Sequence, residues 1–199
     1  MRSKRRACCI AGPICSALLS AALAYADPAA RASFQERFEI RAGGFMHGAG
    51  SFEQGTHAIN IEMIAPVFQL DDAAPRLRPF VPRMHVGGMF NVNGKTNYLY
   101  AGALWTFDLP ANFFIEGFLG GSAHDGSLED NANIGGMPTR AALGCRLLFH
   151  TGASAGYRIA KRWNVTFTVD HISNGGDVFN LCTRNQGLTQ LGVRVGYAF

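Results

Sequence analysis

Beyond its first 26 residues the sequence has no long apolar run. Although 48% of the residues are hydrophobic, no later segment approaches the roughly 18 uninterrupted apolar residues that identify a transmembrane helix. The apolar residues instead occur in short segments, where they alternate with polar ones. This spacing favours a chain of many short strands with an apolar outer surface.

The chain also lacks a net charge once its N-terminus is set aside. Residues 1–26 have the form of a secretory signal peptide, with four basic residues, an apolar core and an Ala24-Tyr25-Ala26 cleavage pattern. Cleavage near Ala26 leaves residues 27–199 as a single domain. Because the leader holds four of the 18 basic residues and none of the 14 acidic ones, the remainder carries 14 of each. The formal net charge of +4 of the full sequence therefore comes from the leader. It is no sign of a nucleic-acid partner, and we expect none.

Cysteine is scarce outside the leader. Three of the five cysteines belong to residues 1–26, which leaves Cys145 and Cys182. The pattern places Cys145 within a strand and Cys182 in a loop, whereas disulfide geometry requires the two Cβ atoms to approach closely. We therefore do not expect a disulfide between them.

Eight segments show the alternation of a strand with one apolar and one polar face. The clearest runs from Trp163 to Ser173, where every second residue from Trp163 to Val169 is large and apolar. The eight segments cover residues 38–42, 59–65, 84–92, 99–107, 113–119, 143–157, 163–173 and 191–199.

Alternation alone does not distinguish a soluble sandwich from a membrane barrel. Three further features favour the barrel: a leader that exports the chain, aromatic residues near strand ends, and a final Phe199 on an outward position. We therefore predict an all-β fold, an eight-stranded antiparallel transmembrane β-barrel of the bacterial outer membrane.

The interior of an eight-stranded barrel is just large enough to be filled by side chains. Charged residues recur on the face opposite the aliphatic one, so we predict a buried ionic network and no pore. Its predicted members are Glu39, Arg41, Glu62, Arg83, Glu116, Arg146, Asp170 and Arg194.

The connections alternate in length, which sets the orientation. Residues 110–111 and 160–162 are short links, whereas residues 120–140 and 173–188 are long; residues 68–79 are an exception. Short turns of such barrels face the periplasm and long loops face outward. The strand that begins at Trp163 therefore runs outward, and ten residues carry it through an apolar band of about 25 Å. His171 and Ser173 are then expected on the lipid-facing side, at the outer-leaflet interface.

His171 and Ser173 are the candidate catalytic pair. Two positions apart on one strand, they project from the same face about 6.6 Å apart along the backbone. A histidine can take a serine proton and return it to a leaving alcohol, which is the chemistry of acyl transfer. Asn174, Gly175 and Gly176 follow and offer donors for an oxyanion.

These residues carry a family resemblance. His171 to Gly176, Asn185-Gln186-Gly187-Leu188 and a last strand ending in an aromatic residue resemble the C-terminal third of the outer-membrane lipid A 3-O-deacylases (PagL-type acyloxyacyl hydrolases). The resemblance implies an eight-stranded barrel that removes an ester-linked acyl chain from lipid A with a Ser-His-Glu triad on its outer wall. It further implies Ser173 as nucleophile, His171 as general base, and Asn174 and Gly176 as oxyanion contributors.

The sequence departs from this pattern at the triad acid. The family's glutamate lies two residues after the glycine of the N-x-G segment, where this chain has Thr189. Thr189 faces outward level with Ser173, so its hydroxyl could hold the imidazole, or Asp177 could fold back as a substitute acid. Asp170 is a poor substitute because its parity directs it into the barrel.

Four of the other histidines are not expected to form a metal site. His47, His57, His124 and His150 lack metal-ligand spacing. We expect no metal and no cofactor.

Two functions from different classes compete. The first is an esterase that hydrolyses an ester-linked acyl chain of lipid A, the lipid part of lipopolysaccharide, among the lipids of the outer membrane. The second is a non-catalytic structural or adhesive barrel that has lost the triad acid, and a soluble lipocalin-like periplasmic barrel is a third alternative. Whether the barrel forms a homodimer is left open.

Overall fold

The computed structural model describes residues 34–66, 75–129, 139–176, 182 and 184–199. The predicted signal peptide and Asp177 lie outside these residues. The described residues form eight strands, which pair antiparallel in chain order and close into a barrel between β1 and β8. The strands are β1 (Glu39–His47), β2 (Thr56–Ala65), β3 (Arg83–Asn91), β4 (Tyr98–Asp108), β5 (Phe113–His124), β6 (Leu147–Arg158), β7 (Trp163–Ser173) and β8 (Leu188–Ala198).

The wall of the barrel follows from the two-residue period of a strand. In β2, Ile59, Ile61 and Met63 are 50%, 50% and 43% exposed, whereas the intervening Asn60 and Glu62 are buried. Apolar side chains outside and polar ones inside are the arrangement of a membrane barrel, and the reverse of a soluble one. The predicted fold class is confirmed. Within the described residues, no helix is long and apolar enough to cross a membrane.

Aromatic pairs occur where strands end. Trp163 and Tyr197 pack edge to face with ring centroids 4.8 Å apart, and Phe113 packs on Tyr157 at 5.0 Å. Both pairs lie beside the short links, at the end of the barrel that the sequence assigns to the periplasm. Such rings anchor a barrel at the membrane interface.

The lumen is filled by ion pairs, as predicted. Arg41 donates hydrogen bonds to Glu39 and Glu116, each at 2.6 Å, and Arg194 donates to Glu62 at 2.7 Å. Buried charges are tolerated only when paired and hydrogen-bonded, and removing one partner of such a pair typically costs about 3–5 kcal/mol. The prediction was wrong for Arg146 alone among the eight residues, because Arg146 lies before β6 and is exposed.

A second polar cluster in the lumen contains Asp170. Its carboxylate accepts a hydrogen bond from the Tyr98 hydroxyl at 2.6 Å and lies 2.8 Å from His150 Nε2. Asp170 therefore points into the barrel, as its parity predicts.

Two sequence predictions fail at the start of β6. The strand begins at Leu147 and not at Leu143, because Gly144 takes a φ of +78° that a strand does not accommodate. Cys145 consequently lies in a loop and forms a disulfide with Cys182 at a Cα–Cα distance of 5.8 Å. The expectation of no disulfide was wrong because it rested on Cys145 being inside a strand.

The short links match their prediction. Ala111 and Asn112 turn the chain through positive φ values between β4 and β5. The Ile159 N–H donates to the Trp163 carbonyl at 2.9 Å and closes the turn between β6 and β7. Of the exceptional link at residues 68–79, residues 68–74 lie outside the described part, and Pro75–Phe80 forms a short 3-10 helix before β3.

Candidate active site on the outer wall

His171 and Ser173 lie at the outward end of β7, on the side that faces lipid. Both are partly buried, whereas Ile172 between them points inward and is fully buried. The strand register places His171 beside Thr151 of β6 and Thr189 of β8, and places Ser173 beside Phe149. The pair thus occupies the position that the alternation predicts.

Thr189 is in contact with the imidazole. Its Oγ1 lies 2.9 Å from His171 Nδ1. When Nδ1 carries the proton and donates a hydrogen bond to this hydroxyl, Nε2 keeps its lone pair and can act as a base. The neutral hydroxyl orients the ring but supplies no negative charge beside it.

The Ser173 hydroxyl is not engaged by the rest of the site. Among the described residues, no hydrogen bond joins Ser173 Oγ to His171 or to any other group. Hydrogen bonds between a base and a nucleophile are often long without substrate and tighten when it binds. Ser173 and His171 are therefore neighbours on one face and do not form a closed pair in this conformation.

The backbone of Gly187 packs against the imidazole ring of His171. Gly187 has a φ of +57°, and a Cβ placed there would lie 3.0 Å from Cε1 and 3.3 Å from Nε2 of the His171 ring. Only glycine combines this backbone conformation with so close an approach. The sequence marks Gly187 as part of a motif, but its contact with the imidazole is visible only in three dimensions.

Asn174 and Gly176 are hydrogen-bonded within their own loop. The Asn174 side-chain NH₂ donates to the carbonyls of Leu143, at 3.0 Å, and Arg184. Its Oδ1 accepts the Gly176 N–H at 3.0 Å. Both groups predicted to serve an oxyanion are thus engaged elsewhere in this conformation, and the oxyanion role stays a prediction.

Asn185 is a residue of the site whose contact was not predicted. Its Oδ1 accepts the backbone N–H of Asn174 at 3.1 Å and so joins the two halves of the β7–β8 loop. The candidate acid Asp177 lies outside the described residues, and Asp170 is turned into the lumen.

An apolar groove crosses the wall beside Thr189. It has a volume of about 610 Å³ and begins at Leu191, two residues along β8 on the same face. Its other outward-facing residues are Gly44, Met46, His57, Ile59, Val92, Phe167 and Val193. A groove of this composition accommodates an acyl chain better than any polar ligand. Among the described residues no group of three or more histidine, cysteine, aspartate and glutamate side chains could hold a metal ion.

The closed barrel, its apolar wall and its ion-paired lumen define an integral protein of the bacterial outer membrane. The chain belongs to the lipid A 3-O-deacylase (PagL) family, whose model matches residues 34–198. Family and fold give no support for the homodimer that the sequence left open.

Solved structures show the same fold at low identity. The chain is similar to the outer-membrane enzyme PagL, with a TM-score of 0.59, 15% identity, and coverage of 81% of this chain and 99% of that one. It is also similar to the N-terminal β-barrel domain of Pseudomonas aeruginosa OprF, with a TM-score of 0.53, 14% identity, and coverage of 83% and 98%. No curated protein sequence matches significantly.

Proposed function

We propose that this protein hydrolyses an ester-linked acyl chain, the 3-O chain, of lipid A at the outer leaflet, with Ser173 as nucleophile and His171 as general base. Membership of the lipid A 3-O-deacylase family supports the substrate and the bond. The lipid-facing position of both side chains supports the encounter, because lipid A diffuses sideways in the leaflet that they adjoin.

The observation that carries the proposal is the contact of His171 Nδ1 with Thr189 Oγ1 at 2.9 Å. It supports an imidazole whose Nε2 is free to take the Ser173 proton as Oγ attacks the ester carbonyl carbon. Nε2 then gives the proton to the departing sugar hydroxyl, which leaves an acyl group on Ser173. A water molecule, activated by the same nitrogen, releases the fatty acid and restores the serine.

Thr189 takes the place of the triad acid in this proposal. It orients the ring through its hydroxyl but does not stabilise the imidazolium that forms in the transition state. In well-studied serine hydrolases, loss of the carboxylate lowers turnover by about 10⁴ and leaves catalysis above background. We therefore expect a slow enzyme. Asp177 remains the alternative acid.

The oxyanion contributors in the proposal are Asn174 and Gly176. Because the Gly176 N–H is donated to Asn174 Oδ1 at 3.0 Å, it must exchange that acceptor for the oxyanion when the tetrahedral intermediate forms. The apolar groove that begins at Leu191 supports binding of the acyl chain beside the reacting carbonyl.

The test is incubation of the purified barrel with lipopolysaccharide, followed by mass spectrometry of the lipid A. We expect loss of one acyl chain with the wild type and none with Ser173→Ala. Thr151→Ala is the matched control, since it removes a hydroxyl from the adjacent strand directly opposite His171. No acyl loss with the wild type, or equal loss with Ser173→Ala, refutes the proposal.

A non-catalytic barrel is the second candidate, and Thr189 in place of a carboxylate favours it. In that case the long loops bind a surface ligand and the scaffold alone is retained. Thr189→Glu separates the two candidates: a large gain of hydrolysis supports a weakened enzyme, and no activity in either folded protein, wild type or variant, supports the binder.

A further inference from the structure

The five residues from Ala141 to Cys145, here termed the strap, connect the β5–β6 loop to β6. Ala141, Ala142 and Leu143 are fully buried. Buried backbone N–H and C=O groups require partners, and those of the strap find them in the β1–β2 loop, in the β7–β8 loop and at Ser127 of the β5–β6 loop. The strap therefore joins parts of the extracellular side that are distant in sequence.

The centre of the strap is bonded to the β7–β8 loop. The Ala142 N–H donates to Gln186 Oε1 at 2.7 Å, and the Gln186 N–H donates to the Ala142 carbonyl at 3.1 Å. Gln186 lies between Asn185, which holds Asn174, and Gly187, which contacts the His171 ring. Movement of the strap is thus transmitted to both sides of the site.

Leu143 contacts the residue that follows the nucleophile. Its carbonyl accepts from Asn174 Nδ2 at 3.0 Å, and its N–H donates to the Ser127 carbonyl at 2.9 Å. Asn174 is 2% exposed, so its amide has no water to replace these partners. The orientation of the Ser173–Gly176 segment depends on where Leu143 lies.

The C-terminal end of the strap is held covalently. Cys145 forms the disulfide with Cys182 of the β7–β8 loop. At Gly144 a Cβ would lie 2.1 Å from the Arg184 carbonyl oxygen, a distance at which no side chain fits. The strap and the β7–β8 loop are therefore packed backbone against backbone.

The N-terminal end of the strap is held by Glu53. Its fully buried carboxylate accepts the Ala141 N–H at 3.2 Å, the Thr96 N–H at 3.0 Å and the Thr96 hydroxyl at 2.7 Å. Glu53 Oε2 also lies 2.9 Å from His47 Nε2. One carboxylate thus ties the β1–β2 and β3–β4 loops to the strap.

We propose that the strap is a positioning device for ester hydrolysis: Glu53 and the Cys145–Cys182 disulfide hold it so that Leu143 and Ala142 fix the Ser173–Gly176 segment relative to His171. The inference rests on the proposed function. Glu53, Cys145 and Cys182 are positioning residues, since none of them touches the reacting groups. Displacement of a catalytic group by about 1 Å costs about 10² in rate, so release of the strap lowers kcat while the apolar groove, and with it KM, is little changed.

The experiment uses the full barrel in detergent, as the wild type, Cys145→Ser/Cys182→Ser and Glu53→Gln. Initial rates over a range of lipopolysaccharide concentrations give kcat and KM, and amide hydrogen exchange is followed over residues 171–176. We expect kcat to fall by about 10², KM to change less than about twofold, and the Asn174 amide to exchange faster. The control is Asp108→Asn, which breaks an exposed ion pair with Arg158 at the opposite end of the barrel, away from the strap and the groove.

A second arm needs no variant to fold. A phosphine added to the folded wild type gives two electrons to the disulfide, and water supplies the two thiol protons and the oxygen of the phosphine oxide. After the phosphine is removed, oxidised glutathione takes two electrons from the thiols, restores the bond and is itself reduced. Reversible loss of kcat and of amide protection supports the proposal. Unchanged kcat and unchanged exchange after reduction overturn it. If the wild type is inactive but exchange still rises on reduction, the proposed function fails while the strap keeps its role in holding the loop.

Discussion

Thr189 Oγ1 contacts His171 Nδ1 at 2.9 Å across the β7–β8 ladder, between residues that are 18 positions apart in the chain. Substitution of this threonine provides the most direct measure of how much of the catalysis depends on charge and how much on orientation. Thr189→Glu should raise kcat on lipopolysaccharide, by up to about 10⁴, because a carboxylate stabilises the imidazolium. Thr189→Val, which keeps the shape and removes the hydroxyl, should lower kcat below the wild type. Equal rates for all three folded proteins would contradict the assignment.

Gly187 should be required for the position of the imidazole. In Gly187→Ala the new methyl group would lie 3.0 Å from His171 Cε1, so we expect a fall in kcat of about 10 to 10². Gly50→Ala is the control, because Gly50 also has a positive φ, +75°, but no atom within 4 Å of a Cβ. Both variants carry the same kind of backbone strain, so comparable kcat values for the two would refute steric crowding of the ring.

The charges in the lumen should stabilise the barrel and have little part in hydrolysis. Arg41→Met leaves Arg83 as the one guanidinium that still bonds both Glu39 and Glu116, and we expect the free energy of unfolding to fall by up to about 3–5 kcal/mol. Asp108→Asn is the comparison, since it breaks an ion pair with Arg158 in which the Asp108 side chain is 53% exposed. That change should cost less than about 1 kcal/mol. Urea unfolding in detergent measures both, and equal losses would count against a structural role of the lumen network.

The extracellular loops should lose stability only in strong acid. Burial alone would raise the pKa of Glu53, but hydrogen bonds from His47, Thr96 and the Ala141 N–H outweigh it and hold the pKa at about 2. A lowered pKa in the folded state gives stability that is complete above the ordinary value of 4.5 and is lost as the pH falls towards 2. The slope contributed by this single group is at most about 1.4 kcal/mol per pH unit.

Amide exchange of residues 141–145 between pH 5 and pH 2.5 checks this prediction, after correction for the intrinsic exchange rates. In the wild type, protection of these amides should decrease as the pH is lowered from 5 to 2.5. Glu53→Gln should remove this pH dependence because glutamine does not titrate. A glutamine variant with the same dependence would assign it to another group.

The eight strands could be predicted because their signal is local. Alternation of the kind seen at Ile59, Ile61 and Met63 depends only on neighbouring residues, and it also fixes the side on which each residue lies. The same signal misled at residues 143–146, where Leu143 and Cys145 continue the apolar period but Gly144 turns the backbone out of the ladder. Parity therefore assigned Arg146 to the lumen and Cys145 to a strand.

The contacts of the site could be predicted only in part. The two-residue alternation of a strand, continued from Trp163 to Ser173, places His171 and Ser173 on the lipid-facing side. The spacing of the motif identifies Thr189 as the position of the triad acid. Neither the alternation nor the motif reveals that the Asn174 side-chain amide donates a hydrogen bond to the carbonyl of Leu143, 31 residues away. Such contacts depend on how separate loops pack, and no periodicity records that.

By itself the sequence determined an exported chain of alternating strands with one apolar face, because a strand exposes every second residue whatever its partners are. Only the tertiary structure decided which groups of different loops and strands meet: the disulfide, the partners of the buried Glu53 and the contact of Thr189 with His171. The disulfide and the contacts of Glu53 join loops that the barrel brings together at one end, and the Thr189–His171 contact depends on the register of β7 against β8; none of them is a property of one strand alone.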